Sequence, residues 1–508
     1  MRRLLGWNLT CLVIVTGMVL SARAAGPIEI RVDWKGPRPA GLVTINRTTI
    51  TLQVVENPFL RHGSAIHDNA WKLLRELGAS DVRLALWYPY PRMSVAELFP
   101  PSANKTYWDF SYMDPVVEDF FSAQEGRPFV LNVATIPQWM FADATAPPIP
   151  ADPDAAVWNY EQGAALRDPT FREISQYYER VARWYIKGGF RDELGARHFS
   201  GHYYKPAYWE VFNEPEYEHN FSPAQYNALY DAITSRLHRV DRHLKFTGAS
   251  LAVPDHSEEF FNYFLDHSRH APHVQLDAIS YHFYALEKKD ESLGEKTASF
   301  FAQADHFLET VKKIEGIRNR LSPGTKTQIN ETGCIAATDQ FEGPEKMSGT
   351  GILPSYWNLC GAMFSYVAGK LAEMGIEVVG ASQLVGHPSQ FPSVSLLDWT
   401  TGLPNARYDS LKLLMDNLGS GDRFANSSVD DPRLYVLPLI ARNGQRKIML
   451  VNKTSNDLEV NVGSDTALQE VHVDATSAGI QKNGNFISSH VILHAFAVMC
   501  VTLPPEAK

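Results

Sequence analysis

From about residue 41 to 418, short apolar runs rich in β-branched residues alternate with longer stretches in which apolar positions recur at helical spacing. The runs predict strands at 51–55, 81–87, 129–134, 207–212, 245–250, 276–284, 326–331 and 377–384. The stretches between them predict helices at 70–77, 114–121, 169–187, 223–237 and 298–321, with a closing helix at 406–418. Local signals agree, because Gly78 follows the first helix as a stop and Ser222-Pro223 opens the fourth as cap and first turn. Strand and helix in alternation make βαβ units on a parallel sheet. About eight of them predict an α/β fold, a (β/α)8 TIM barrel over 41–421.

Beyond residue 422 the pattern changes to strand-like runs at 434–440, 447–451 and 497–501, with Asn443-Gly444 and Asn483-Gly484 as turns between runs. A C-terminal antiparallel β-sandwich domain over 422–508 is expected, with the strand-like segment 26–40 associated with it. Residues 1–25 carry the order of a secretory signal: Met1-Arg2-Arg3, an apolar stretch at 9–20, then Ser21-Ala22-Arg23-Ala24-Ala25. The stretch is shorter than the roughly 20 residues that cross a bilayer, which favours a cleaved signal over a retained anchor. No later segment approaches that length, so a soluble mature protein in a secreted or periplasmic location is expected.

Composition narrows the classes further. Hydrophobic residues make up 44% and charged ones 20%, as in a packed globular protein and not a disordered one. The net charge of −10, with lysines and arginines scattered singly, lacks the footprint of a nucleic-acid partner. Outside the signal the cysteines are Cys334, Cys360 and Cys500, an odd set that fits either a Cys334–Cys360 bridge or three buried thiols.

The chemistry lies at two strand ends. In Trp209-Glu210-Val211-Phe212-Asn213-Glu214-Pro215 an apolar strand ends in a polar pair, and barrel active sites sit at the C-terminal ends of the strands. Gln328-Ile329-Asn330-Glu331-Thr332-Gly333 repeats the pattern on the seventh strand. One glutamate at a strand end is ordinarily a solvated rim residue, but two, on strands four and seven, converge across the barrel axis. Glycoside cleavage needs such a pair, one carboxyl to protonate the leaving oxygen and one to attack the anomeric carbon. A separation of about 5–5.5 Å implies retention, roughly 6.5–9.5 Å implies inversion, and beyond about 10 Å neither works. Glu214 is therefore expected as acid/base and Glu331 as nucleophile, the first protonated near working pH and the second ionised. A non-catalytic carbohydrate-binding protein, the competing class, has no need of paired carboxylates.

With Asn213-Glu214-Pro215 on strand four, His282-Phe283-Tyr284 on strand six and Glu331 on strand seven, the chain resembles clan A glycoside hydrolases. Within the clan, Tyr208-Trp209-Glu210-Val211-Phe212-Asn213-Glu214-Pro215 is similar to the signature of glycoside hydrolase family 39, the β-xylosidases and α-L-iduronidases. The family more often has Trp where Phe212 stands and Asp or Asn where Glu216 stands. Family 79, the β-glucuronidase and heparanase group, is the second resemblance. The clan's pattern implies that Asn213 bonds the sugar 2-hydroxyl, and that Arg83 and Tyr284 hold the nucleophile ionised and aimed. The physics supports both roles, since an adjacent guanidinium lowers a carboxylate pKa and a phenol donates to it; the alternatives are a structural ion pair for Arg83 and a half-buried core tyrosine for Tyr284.

His282 fits the pocket or a place beneath it, and Trp139 a sugar-stacking platform or core packing. Gln383 and Trp399, on and after strand eight, are weaker substrate-binding candidates. The long Pro- and Asp-rich loop at 143–159 suggests a functional rim. This chemistry needs no cofactor, and neither a metal triad nor a glycine-rich phosphate loop is present. Sequons occur at Asn46, Asn104, Asn220, Asn426, Asn452 and Asn330, the last expected to be bare because a glycan there would block the site. The expected activity is that of a secreted retaining exo-glycosidase of β-xylosidase type acting on oligo- or polysaccharides. A uronic-acid-specific glycosidase or an endo-glycanase of the same clan are the alternatives.

Overall fold

The computed structural model describes residues 26–142, 147–160, 165–339 and 351–504, so the signal-like segment lies outside the described residues. Eight parallel strands close into a barrel: Thr49–Val55, Val82–Leu86, Phe129–Val133, Tyr208–Val211, Lys245–Leu251, Ala278–Leu286, Lys326–Ile335 and Val378–Ala381, here strands one to eight. Strand eight returns to strand one with Val378 opposite Thr49. A helix follows each strand, and its apolar stripe explains why it lies against the barrel. In Arg172–Lys187 the buried residues Ile174, Tyr177, Tyr178, Val181, Ala182 and Tyr185 follow the i, i+3, i+4, i+7 pattern of one helix face. Each large apolar side chain taken wholly from water contributes roughly 1.5–3 kcal/mol, more than helix propensity supplies. Gly78 closes the first helix in the left-handed conformation, at φ 68°, and Ser222 makes a full capping box with Gln225.

Three differences from the sequence reading have physical causes. First, helices at Glu258–Phe264 and Pro354–Met374 were not predicted. The second is buried from Tyr356 to Glu373 on almost every side, so it carries no polar face against which a stripe would show. It is wedged between the barrel and the β domain so closely that a Cβ on Gly369 would stand 2.6 Å from the Tyr435 hydroxyl. Second, strand seven does not end at Glu331 but runs on to Ile335, paired with an extended strand six as far as Leu286. Irregular register flanks Glu331 on both sides, between Ser280 and His282 and between Ile329 and Thr332. Third, Asn483-Gly484 is no turn. It lies inside Gln481–Leu493, beside a register irregularity opposite Leu468 and Glu470, and the chain reverses at 475–479, where Gly479 takes φ +73°.

The C-terminal region is an antiparallel, sandwich-like domain. Its sheet is built on Leu434–Ile440, Arg446–Asn452, Leu458–Val473, Gln481–Leu493 and Val498–Leu503, with Ile28–Glu29 added in parallel along Val460–Asn461. Alternate residues serve two cores. Leu434, Val436, Ile448, Leu450, Met499 and Val501 pack within the domain, while Tyr435, Leu437, Met449, Val451, Val498 and Cys500 join the barrel core. Cys334 and Cys360 form a disulfide tying strand seven to the helix Pro354–Met374, and Cys500 is a buried thiol. Among the described residues no helix is long and apolar enough to cross a membrane.

Candidate active site

The barrel axis is polar at its C-terminal end. Gln53 and Arg83 rise from strands one and two, both buried, and the guanidinium is the hub. Its Nε pairs with Glu210, Nη1 donates to Gln53 at 2.6 Å and to Glu331 Oε1 at 2.5 Å, and Nη2 donates to Asn213 Oδ1 at 2.7 Å. Glu210 also accepts from Ser280 and Asn330, each at 2.6 Å. Neighbouring residues Asn330 and Glu331 thus both face inward, which a regular strand forbids and the irregular register permits.

Strand four ends in a tight backbone. Phe212 and Glu214 take φ 65° and 41°, in the left-handed region that is strained for residues with a Cβ. The turn is held by Asn132, which donates to Phe212 O at 2.8 Å, and by the Glu214 amide on Ser250 O at 2.9 Å. Its effect is to set Asn213 and Glu214 side by side on the mouth.

Across from Glu214, the Glu331 carboxylate is fixed on both oxygens, by Arg83 on one and by the Tyr284 hydroxyl at 2.5 Å on the other. The Tyr284 hydroxyl also lies 2.6 Å from Ser382 Oγ, to which Gln53 donates at 2.6 Å. Burial pushes the Glu331 pKa up, but His282 and Arg83 beside it, with hydrogen bonds from Tyr284 and Gln53, hold it below the ordinary carboxylate value. Burial drives the Tyr284 phenol far above its usual range, so it stays a donor.

His282, 1% exposed, stands between the two acids, with Nδ1 2.7 Å from Glu214 Oε1 and 3.6 Å from Glu331 Oε2. Burial disfavours its charge, and Glu331 and Glu214 outweigh that, raising its pKa. One oxygen of each glutamate and the His282 nitrogen lie within 4.8 Å of one another. Such a set offers ligand atoms for a cation, as do His62, His67 and Asp119 elsewhere on the barrel. At the mouth, though, the Arg83 guanidinium already occupies Glu331 and would repel a divalent ion.

These side chains open on one cavity of about 1070 Å³. Asn213, Glu214, Arg83, Tyr284, His282, Glu331 and Gln383 all line it. Trp139 and Trp399 do not. The short turn Gln138–Met140 buries its first and last residues and turns Trp139 the other way, where its indole donates to Glu97 O at 2.9 Å and Arg167 lies 4.5 Å over its ring. Trp399 packs edge-on to Trp357, because strand eight stops at Ala381 and the following loop gives the cavity Ser382, Gln383, Phe391 and Val394. The aromatic wall comes instead from Trp87, Tyr88, Trp158 and Phe391. Trp87 and Trp158 meet edge to face at 5.5 Å, and Trp87 donates to Glu218, which also accepts from Asn213 at 2.9 Å. Trp158 belongs to the loop predicted as a rim, of which 143–146 lie outside the described residues.

Sequence reasoning passed over Gln53, Glu210, Ser382, Trp87 and Glu218. The available signal was a polar residue inside an otherwise apolar strand, as Gln53 stands in Thr49–Val55 and Glu210 in Tyr208–Val211. The sequons divide by burial. Asn330 is 3% exposed and bonded to Glu210, and Asn46 and Asn452 are buried with their amides on backbone carbonyls. Asn104 and Asn220 are exposed. Expressed in a glycosylating host, the protein is expected to carry glycans at Asn104 and Asn220 and none at Asn46, Asn330 or Asn452, as read by peptide mass mapping after enzymatic deglycosylation.

No family model matches the chain, and no curated protein matches it in sequence. Solved structures share its fold over nearly its whole length. A glucosidase from Croceicoccus marinus has 15% identity and a TM-score of 0.59, covering 95% of this chain and 100% of its own. The GH51 arabinofuranosidase from Xanthomonas axonopodis pv. citri has 11% identity and a TM-score of 0.61, covering 94% and 100%. A GH30 endoxylanase from Clostridium papyrosolvens C71 has 12% identity and a TM-score of 0.54, covering 91% and 98%. At these identities the likeness is one of fold, a TIM barrel with a C-terminal β domain.

Proposed function

We propose that the protein is a retaining glycoside hydrolase of the clan A type, with Glu214 as acid/base and Glu331 as nucleophile. The observation that carries this reading is the meeting of two carboxylates from strands four and seven within 4.8 Å at the mouth of one cavity. With one oxygen of each carboxylate this near the other, the closer spacing of a retaining pair is favoured over the wider one that admits a water for inversion. Glu331, fixed and held ionised by Arg83 and Tyr284, attacks the anomeric carbon; Glu214 passes a proton to the leaving oxygen. Water then releases the sugar, Glu214 taking the proton back. Asn213, oriented by Arg83 and Glu218, is placed to bond the 2-hydroxyl, and the Trp87–Trp158 wall to pack on the sugar's C–H face.

A neutral sugar is favoured over a uronic acid, because Arg83, which binds Glu331, is already engaged with Glu210, Gln53, Glu331 and Asn213, and Lys288, the other Lys or Arg among the described residues lining the cavity, lies on its exposed side. This points to a β-xylosidase-like activity more than to the family 79 type, and with the signal-like leader to an exported enzyme. The test is a panel of 4-nitrophenyl glycosides, including β-xyloside, β-glucuronide and α-L-iduronide, followed by proton NMR of the first sugar released. Retention of anomeric configuration on the neutral glycoside is expected. A first product of opposite configuration would refute the double displacement.

A further inference from the structure

The cavity has a second lobe that the sugar-binding wall does not explain. On the side of Glu214 away from the tryptophans it runs between the ends of strands five and six and the helix Leu293–Leu321. Val253, Pro254, Phe283, Phe307, Ala298 and Ala302 form its surface. Phe283 and Phe307 stack at 4.5 Å with 12° between their planes. Ala298 and Ala302, one helical turn apart, are both exposed, and their small side chains keep the lobe open.

Three of the polar residues along this lobe, Gln303, His306 and Asp255, are already engaged. Gln303 accepts from the Leu286 amide at 2.9 Å and donates to the Leu286 carbonyl at 3.0 Å and Ser299 at 3.1 Å. His306 lies 3.3 Å from Asp255, which also accepts from Thr310. Lys288 lines the outer end, on the exposed side. A second sugar ring here would bring several hydroxyls to hydrocarbon and to groups already paired, an arrangement that weakens binding.

The lobe also lies where the leaving group must go. The acid's turn is bonded to the end of strand five, through the Glu214 amide on Ser250 and the Val253 amide on Glu216 at 3.1 Å. Asn213 and Glu331 are tied to Arg83 and Gln53 on the opposite side, where the glycosidase reading puts the sugar. Resting on the glycosidase reading, we infer that the substrate is a glycoside of an apolar alcohol, alkyl, aryl or polycyclic, whose body fills this lobe. Glu214 protonates the bridging oxygen as the C–O bond to the sugar breaks, the apolar alcohol leaves, and water supplies the hydroxyl of the released sugar.

The experiment compares n-alkyl glycosides from methyl to octyl, and the disaccharide, on whichever sugar the wild-type enzyme prefers. The ratio kcat/KM is expected to climb with chain length towards a ceiling of about fourfold per buried methylene, and to exceed that for the disaccharide by about tenfold or more. Ala302→Trp, filling the lobe, is expected to flatten the series while methyl glycoside turnover stays within about twofold. Ala298→Glu, an exposed substitution that the helix tolerates, tests the same wall by charge. A flat series with the disaccharide as the better substrate, or a series that both variants leave unchanged, overturns the inference and leaves the glycosidase reading standing. Failure to hydrolyse any glycoside overturns both.

Discussion

Replacing Glu331 by Gln is expected to abolish turnover, by about 10⁴-fold or more in kcat, while the free sugar still binds. The variant keeps the shape of the side chain and its contact with Arg83, but an amide does not form the covalent sugar intermediate at a useful rate. The loss falls on kcat because the nucleophile's interaction grows in the transition state and contributes little to binding the ground state. Rates on the best 4-nitrophenyl glycoside, with sugar affinity from intrinsic tryptophan fluorescence, check it. Trp87 and Trp158 line the cavity and serve as reporters. Unchanged activity in this variant would remove Glu331 from the mechanism.

The second large effect is expected at Arg83. Arg83→Met leaves Glu210 and Glu331 facing each other in the barrel without their cation, and breaking a buried pair from one side costs about 3–5 kcal/mol. Chemical denaturation reads that loss. The activity change has a sign that follows from the charge. Glu331 is held below the ordinary carboxylate value partly by Arg83, so removing the guanidinium lets its pKa rise. The acid limb of the kcat/KM profile then moves to higher pH. A carboxylate with a lowered folded-state pKa adds stability that is complete above its unfolded value of about 4.3 and is lost as pH falls through the folded value. The variant should therefore lose less of its remaining stability on acidification than the wild type does. Arg83→Lys, which keeps a charge but not the planar fork, should retain the acid limb better and still lose about 10²-fold in turnover through misplacement of Glu331 and Asn213. An acid limb that did not move in Arg83→Met would show that His282 and Tyr284 suffice to hold the nucleophile.

The barrel was legible because its signal is repetitive. Runs such as Thr49–Val55 and Phe129–Val133 are buried on both faces and so read as largely apolar stretches with a single amide residue in each. The two glutamates were legible for a related reason, a charge where such a run ends. What stayed hidden was whatever depends on three-dimensional neighbours. The helix Pro354–Met374 is covered by barrel and β domain together, so its pattern has no wet side. Trp139 and Trp399 follow strands three and eight in sequence, but a three-residue turn and a long loop point them elsewhere. Trp158 reaches the cavity from a loop whose path no local rule gives. Gln53 and Glu210 could have been noticed as polar residues in apolar strands, although nothing in their spacing says that Arg83 joins them. The scattered arginines argued only against a polyanion partner, and the one that matters most for the site is buried at the barrel axis.

The outer sheet obeys a parity rule. Along 434–437, odd-numbered side chains answer to the barrel and even-numbered ones to the sandwich, and the neighbouring strands keep the same strict bookkeeping in their own registers. A conservative change at position 435 or 437 is thus a barrel mutation in disguise, whereas one at 434 or 436 is not. Inserting a single residue would exchange both sets at once, so this β domain can drift in its loops but cannot slip along its strands without unseating the barrel beneath it.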